Sequence, residues 1–204
     1  MMQPNTTWEI SLQSPLQAVV EDASAPELLT FPLRQFIPWQ VRNETEVAQV
    51  VAAPQLAAPW VAALIALGAE VSDGERTLPL AEAMYRRHPW QTLRVPNDGW
   101  TAGSDYVARA PTDEPIVYAA AAVWVDEGVL RGIRVALTGV SRLAVYVPES
   151  PARWVGQPFN DETIQAIAQA VAEEVRPHGD FRGSEEYRRA MAEVLTRRAM
   201  KMGK

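Results

Sequence analysis

The side chains able to do chemistry in this chain are two histidines, His88 and His178, a scatter of carboxylates, and several arginines. Cysteine is absent from all 204 residues, which excludes disulfides, thiolate metal sites, iron–sulfur ligation and a cysteine nucleophile. A general base needs a partner that orients it. No second group stands beside His88 in the sequence, and His178 falls in a Pro-Gly loop, so both histidines read as non-catalytic. Asp105, Asp113 and Glu114 form a run of carboxylates that is expected to be solvated loop charge. Arg42 invites an anion-site reading, yet Glu44 and Glu46 beside it favour an ordinary ion pair. There is no H-E-x-x-H, G-x-S-x-G, Walker loop or G-x-G-x-x-G. No catalytic residue and no metal ligand is predicted.

The elements that would position these groups are legible in outline. Trp8 to Leu12 alternates as a half-buried strand, and Ser14 with Pro15 predicts a capped helix carrying Leu16, Val19 and Val20. A second short segment, helical or irregular, runs from Ala25 to Pro38 with Leu29, Leu33, Phe36 and Ile37 inward. Trp60, Leu64 and Leu67 recur at i, i+4, i+7 ahead of Gly68, the pattern of a buried helix stopped by glycine. Ala69-Glu70-Val71 and Arg76 to Leu80 make a hairpin around Asp73-Gly74, with a short helix from Ala81 to Tyr85 after it. The loop-rich stretch from Val95 to Ser104 is the expected domain divide, giving units 1–98 and 99–204. Beyond it, strands are predicted at Ile116–Val125, Val129–Leu137 and Leu143–Val147, the first two joined at Asp126-Glu127-Gly128. Asn160 or Asp161 caps a helix carrying Ile164, Ile167, Ala168, Val171 and Val175. Ser184 caps the last, with Tyr187, Met191, Val194, Leu195 and Met202 on its inner face and Arg188, Arg189, Arg197, Arg198 and Lys201 outward. Trp8, Trp39, Trp60, Trp90, Trp100, Trp124 and Trp154 are spread as core and edge anchors. The fold class is α+β, two subdomains that each pack helices on a small antiparallel sheet.

Four stretches carry a resemblance. Gln40-Val41-Arg42-Asn43 followed by a Pro/Ala-rich run and Ala66 to Val71 resembles the middle of the FAD-binding medium subunit of the molybdenum hydroxylases, the carbon monoxide dehydrogenase and xanthine dehydrogenase group. The family pattern there is Q-I-R-N-R-G-T-[LI]-G-G-N. Tyr106 to Val117 is similar to [KR]-x-[AS]-R-R-x-x-D-F-P-[IL]-V, although Ala110 and Glu114 depart from it. Arg134 to Val140 is similar to [RK]-[IV]-A-L-G-G-V, and Asp180 to Arg189 matches D-x-R-[GA]-S-x-[ED]-Y-R-R closely. The resemblance implies a second FAD subdomain followed by the C-terminal domain of the carbon monoxide dehydrogenase flavoprotein. It implies FAD as cofactor, with molybdopterin and iron–sulfur subunits as partners.

The positions equivalent to the flavin motif are Arg42, Asn43, Thr45, Glu46, Ala48, Gln49 and Val50, and none of the motif's glycines is present. A loop that holds a pyrophosphate on its backbone N–H groups needs glycine for positive φ and close approach. Val47, Gln49 and Val50 put side chains there, and β-branched residues tolerate positive φ badly. Glu46 adds a like charge; two unit charges ~4 Å apart repel by roughly 4 kcal/mol at an effective dielectric near 20. The family's upstream glycine loop also has no counterpart here, which reads as a truncation. The leading expectation is therefore a degenerate, cofactor-free relative with a structural, assembly or regulatory role, bound to a protein partner or to itself. The alternatives are a working FAD electron-transfer subunit completed by a partner chain, or a small-molecule site in an apolar pocket near Val47 to Val51. A net charge of −6 disfavours nucleic acid. With neither a signal segment nor a membrane span in the sequence, the expected location is the cytoplasm.

Overall fold

The computed structural model describes residues 7–84, 86, 88–96 and 99–202. Tyr85, which was expected to end a short helix, and Asn97 and Asp98 of the expected divide lie outside them.

Two antiparallel sheets organise the chain. The first has the order β1-β4-β2-β3, from β1 (Trp8–Ser11), β2 (Glu70–Ser72), β3 (Thr77–Pro79) and β4 (Thr92–Val95). The second has the order β5-β6-β7, from β5 (Thr101–Val107), β6 (Val117–Asp126) and β7 (Val129–Thr138). Helices α1 (Leu16–Glu21), α2 (Glu27–Phe36), α3 (Trp39–Glu44), α4 (Val47–Ala52) and α5 (Ala58–Ala66) lie between β1 and β2, and α6 (Leu80–Ala83) follows β3. Helices α7 (Asp161–Glu174) and α8 (Glu185–Met202) close the chain. The α+β architecture and the two small antiparallel sheets are as the sequence implies.

Every residue of α5 is buried. A helix that is apolar all round must be covered all round, and α5 is, between α2 and the face of β6 and β7. Gly68 ends it at φ 73°. The alanine run of β6 lets the second sheet be covered on both faces. Tyr118, Ala120 and Ala136 join the core around α5, while Ala119, Ala121, Val135 and Leu137 join the core under α7 and α8. Positive φ at Glu127 (49°) and Gly128 (75°) is the pair that a two-residue hairpin turn requires.

Several local expectations are corrected. Ser14 does not cap α1; Pro15 takes that position, and the Ser14 carbonyl instead accepts from Val47 N–H at 3.0 Å. Leu143–Val147 is no strand: only Tyr146 bridges β7, at Leu137, because Ser141 turns the chain by accepting from Leu143 N–H. Trp39 is 63% exposed rather than a core anchor. The inner face of α8 is turned from the expected one: Arg188 is buried with Ala192, Leu195 and Ala199, while Tyr187 and Met202 are exposed.

Candidate functional site

The stretch equivalent to the flavin motif spans the end of α3, an extended link at Thr45 and Glu46, and the start of α4. Proline at position 38 begins α3, and α4 begins with a reciprocal cap. Glu46 receives the Gln49 backbone N–H, while the Gln49 side chain accepts from Glu46 N–H at 2.8 Å. The remaining backbone donors are also engaged. Thr45 N–H donates to Val41 (2.9 Å), Val47 N–H to Ser14 (3.0 Å) and Ala48 N–H to Leu12 (2.8 Å). Gln49 and Val50 N–H groups donate to the Glu46 carbonyl at 3.1 and 3.4 Å. Positive φ occurs elsewhere in the described chain, never between residues 40 and 53. Val47, Val50 and Val51 are buried in the core, so the apolar pocket expected beside them is corrected to packed interior.

Arg42 makes no ion pair with Glu44 or Glu46, correcting that expectation. Its guanidinium is buried and donates to the carbonyls of Leu33 (2.9 Å) and Ile37 (2.6 Å) and to the Gln17 side chain (2.8 Å). It therefore caps the C-terminal end of α2 and ties it to α1 and α3. Burial pushes its pKa down, with Arg34 adding a smaller effect. Asn43 donates to the Trp39 carbonyl at 2.8 Å on the exposed side of α3. Arg42→Met is expected to cost about 2–4 kcal/mol, since it strands buried acceptors. Arg42→Lys should recover only part of that, because an ammonium lacks the planar fork. Urea unfolding of the three proteins measures both.

The two histidines acquire partners that their sequence neighbours did not reveal. His88 Nε2 lies 2.6 Å from Asp73 Oδ2, and its ring sits 4.1 Å from that of Trp90. His178 accepts from the Arg142 Nε–H. Among the described residues, no serine, threonine or lysine side chain hydrogen-bonds to either histidine. The carboxylates disperse: Asp105 pairs with Arg198 at 3.2 Å and Glu114 with Arg182 at 3.0 Å, while Asp113 is exposed. Among the described residues no group of three or more His, Asp or Glu could hold a metal ion.

The Asp180–Arg189 signature is a structural knot. Arg188 donates to the carbonyls of Ile116 (2.7 Å) and Gly139 (2.9 Å) and to Asp180 Oδ1 (2.8 Å). Arg188 holds the Asp180 carboxyl down to about 2, helped by the N–H groups of Arg182 and Gly183. The Arg76 N–H, His88 and the Glu75 N–H hold Asp73 down to about 2 as well. A carboxyl whose folded pKa lies below its ordinary ~4 adds stability that is complete above that value. The contribution is lost as pH falls through ~4 towards 2. Thermal unfolding followed across that window should show a falling melting temperature. Asp180→Asn should flatten the dependence.

Residues 105–202 match the CO dehydrogenase flavoprotein C-terminal domain. The chain is 26% identical over 177 residues to the glyceraldehyde dehydrogenase medium chain of Sulfolobus acidocaldarius, covering 79% of this chain and 62% of that one. It is 37% identical over 68 residues to the carbon monoxide dehydrogenase medium chain of Hydrogenophaga pseudoflava, 33% of this chain and 24% of that one. The chain thus spans less than two thirds of either relative. Among solved structures, carbon monoxide dehydrogenase from Hydrogenophaga pseudoflava superposes with a TM-score of 0.82 at 22% identity, over 99% of this chain and 76% of that chain. Quinoline 2-oxidoreductase from Pseudomonas putida 86 follows at 0.78 and 18%, over 99% of this chain and 76% of that one. No helix among the described residues is long and apolar enough to cross a membrane.

Proposed function

We propose that this chain, which matches the flavoprotein C-terminal domain over residues 105–202 and is similar to the medium subunits of the molybdenum hydroxylases, serves as a cofactor-free medium subunit. Its role is structural: it docks to the molybdopterin or iron–sulfur chains of a hydroxylase complex in the cytoplasm, or to a second copy of itself. Residues 1–98 correspond to the second FAD subdomain and 99–204 to the C-terminal domain.

One observation carries this reading. At the positions of the flavin motif the backbone N–H groups that a pyrophosphate would need are already spent on Val41, Ser14, Leu12, Glu46 and the Gln49 side chain. Glu46 places a carboxylate at the start of α4, where an anion would have to sit. Val47 and Val50 fill the core beneath it. These residues do not fit a dinucleotide, and function resides in a site rather than in a fold.

The partner half of the proposal is tested by purifying the tagged protein from its native cells and assaying molybdenum and iron in the eluate. Both metals in fixed proportion to the chain, retained through gel filtration, are expected. A chain free of both metals and monomeric at micromolar concentration would overturn it.

A further inference from the structure

A cavity of ~470 Å³ opens at the seam between the two sheets, and no residue of α4 lines it. Its inner surface is apolar, formed by Ile65 of α5, Leu80 of α6, and Ile133 and Val135 of β7. The outer wall is the segment from Val147 to Ala152. That wall is fixed in advance. The Glu174 carboxylate of α7 accepts from Glu149 N–H (2.8 Å), Ser150 N–H (2.9 Å) and the Tyr146 hydroxyl (3.0 Å). Pro148 and Pro151 stiffen it further. Pre-formed apolar cavities of this size, with a few polar groups at a seam, are the usual form of small-molecule sites.

Three charged side chains border the space. The Arg134 guanidinium lies 3.9 Å over the Trp100 ring. It is pressed so close to Gly68 that a Cβ there would stand 2.3 Å from its Nη1. Gly132 makes the matching room for Trp100, since a Cβ at that position would lie 2.5 Å from the indole. The arginine is thus held against an aromatic face at the side of the cavity. The other two are carboxylates, one from each half of the chain: Glu70 on β2, half-buried, and Glu149, exposed. Among the described residues neither forms an ion pair. The chain's net charge of −6 favours a cation at such a mouth.

We propose that this cavity binds a small apolar molecule bearing one ammonium group, an aryl- or alkylamine. The hydrocarbon part lies against Ile65, Leu80 and Ile133, and the ammonium lies between Glu70 and Glu149. The site is independent of the flavin-motif stretch and stands or falls separately from the subunit role.

Calorimetric titration of the full chain with phenethylamine, phenethyl alcohol and phenylpropionate tests it. Phenethylamine is expected to bind saturably and about tenfold more tightly than the alcohol or the anion, the worth of one partly buried charge contact. A variant carrying Glu70→Gln and Glu149→Gln should bind amine and alcohol alike. Ala81→Trp, at an exposed position on the rim, should abolish binding of all three while leaving the melting temperature unchanged. No saturable binding of phenethylamine at millimolar concentration overturns the proposal. So does an amine that binds no tighter than the alcohol, or amine binding that survives Ala81→Trp in a folded protein.

Discussion

Arg188→Met is expected to destabilise the protein by about 3–5 kcal/mol, the cost of leaving two carbonyls packed against a buried guanidinium without a donor. Methionine keeps the stem and its packing but removes every donor. The carbonyls of Ile116 and Gly139 then lose a bond inside the protein, and Asp180 loses the cation that holds it ionised. The three acceptors come from the start of β6, the end of β7 and the turn before α8, so one side chain fixes where α8 lies on the sheet. For a chain of this length the loss corresponds to a melting temperature lower by roughly 6–20 °C. Differential scanning calorimetry reads it directly. The same variant should weaken the acid dependence contributed by Asp180, since only the Arg182 and Gly183 N–H groups and the Arg182 guanidinium would still depress that carboxyl.

Gly139→Ala is the second large effect, expected at about 2–5 kcal/mol from a strained backbone together with overpacking. Gly139 has φ 74°, and a Cβ there would lie 2.0 Å from the Ile116 carbonyl oxygen and 3.0 Å from Arg188 Nη1. Backbone cannot yield as a flexible side chain can. Gly128→Ala is the control: φ is 75°, but nothing lies within 4 Å of the added carbon. It should cost only the left-handed strain, about 1–2 kcal/mol. Urea titration of both variants separates conformational strain from collision. Gly139→Ala and Arg188→Met share the Ile116 carbonyl, so their effects should combine to less than their sum.

What could be read in advance follows from the range of the forces involved. Helix α5, the turn at Glu127 and Gly128, and the Asn160 cap of α7 are set by residues within a few positions of each other. All three stand where the sequence implies; Asn160 Oδ1 accepts from Thr163 N–H at 2.9 Å. Strand β5 was hidden because Gly103, Ser104 and Asp105 have the composition of a loop, and only pairing with β6 makes them a strand. Arg42 and Arg188 were misassigned for a related reason. Both side chains seek carbonyls at α2's end or across the sheet, contacts that no helical periodicity reports. His88 and Asp73 meet only because the β2–β3 hairpin and the chain entering β4 fold side by side. The lack of glycine between residues 42 and 50 is plain in the sequence. The reciprocal Glu46–Gln49 cap and the use of the Leu12 and Ser14 carbonyls needed the fold.

The proposed role requires that residues 42–50, whose backbone donors are all engaged within the chain, hold no FAD. The most direct measurement is the visible absorption spectrum of the purified chain, taken as isolated and again after incubation with excess FAD and gel filtration. A colourless protein in both states, with all flavin eluting in the small-molecule fraction, is the predicted result. Flavin bands retained at close to one equivalent per chain, in either state, would contradict the account. They would instead assign the chain an electron-transfer role through a phosphate site outside residues 42–50.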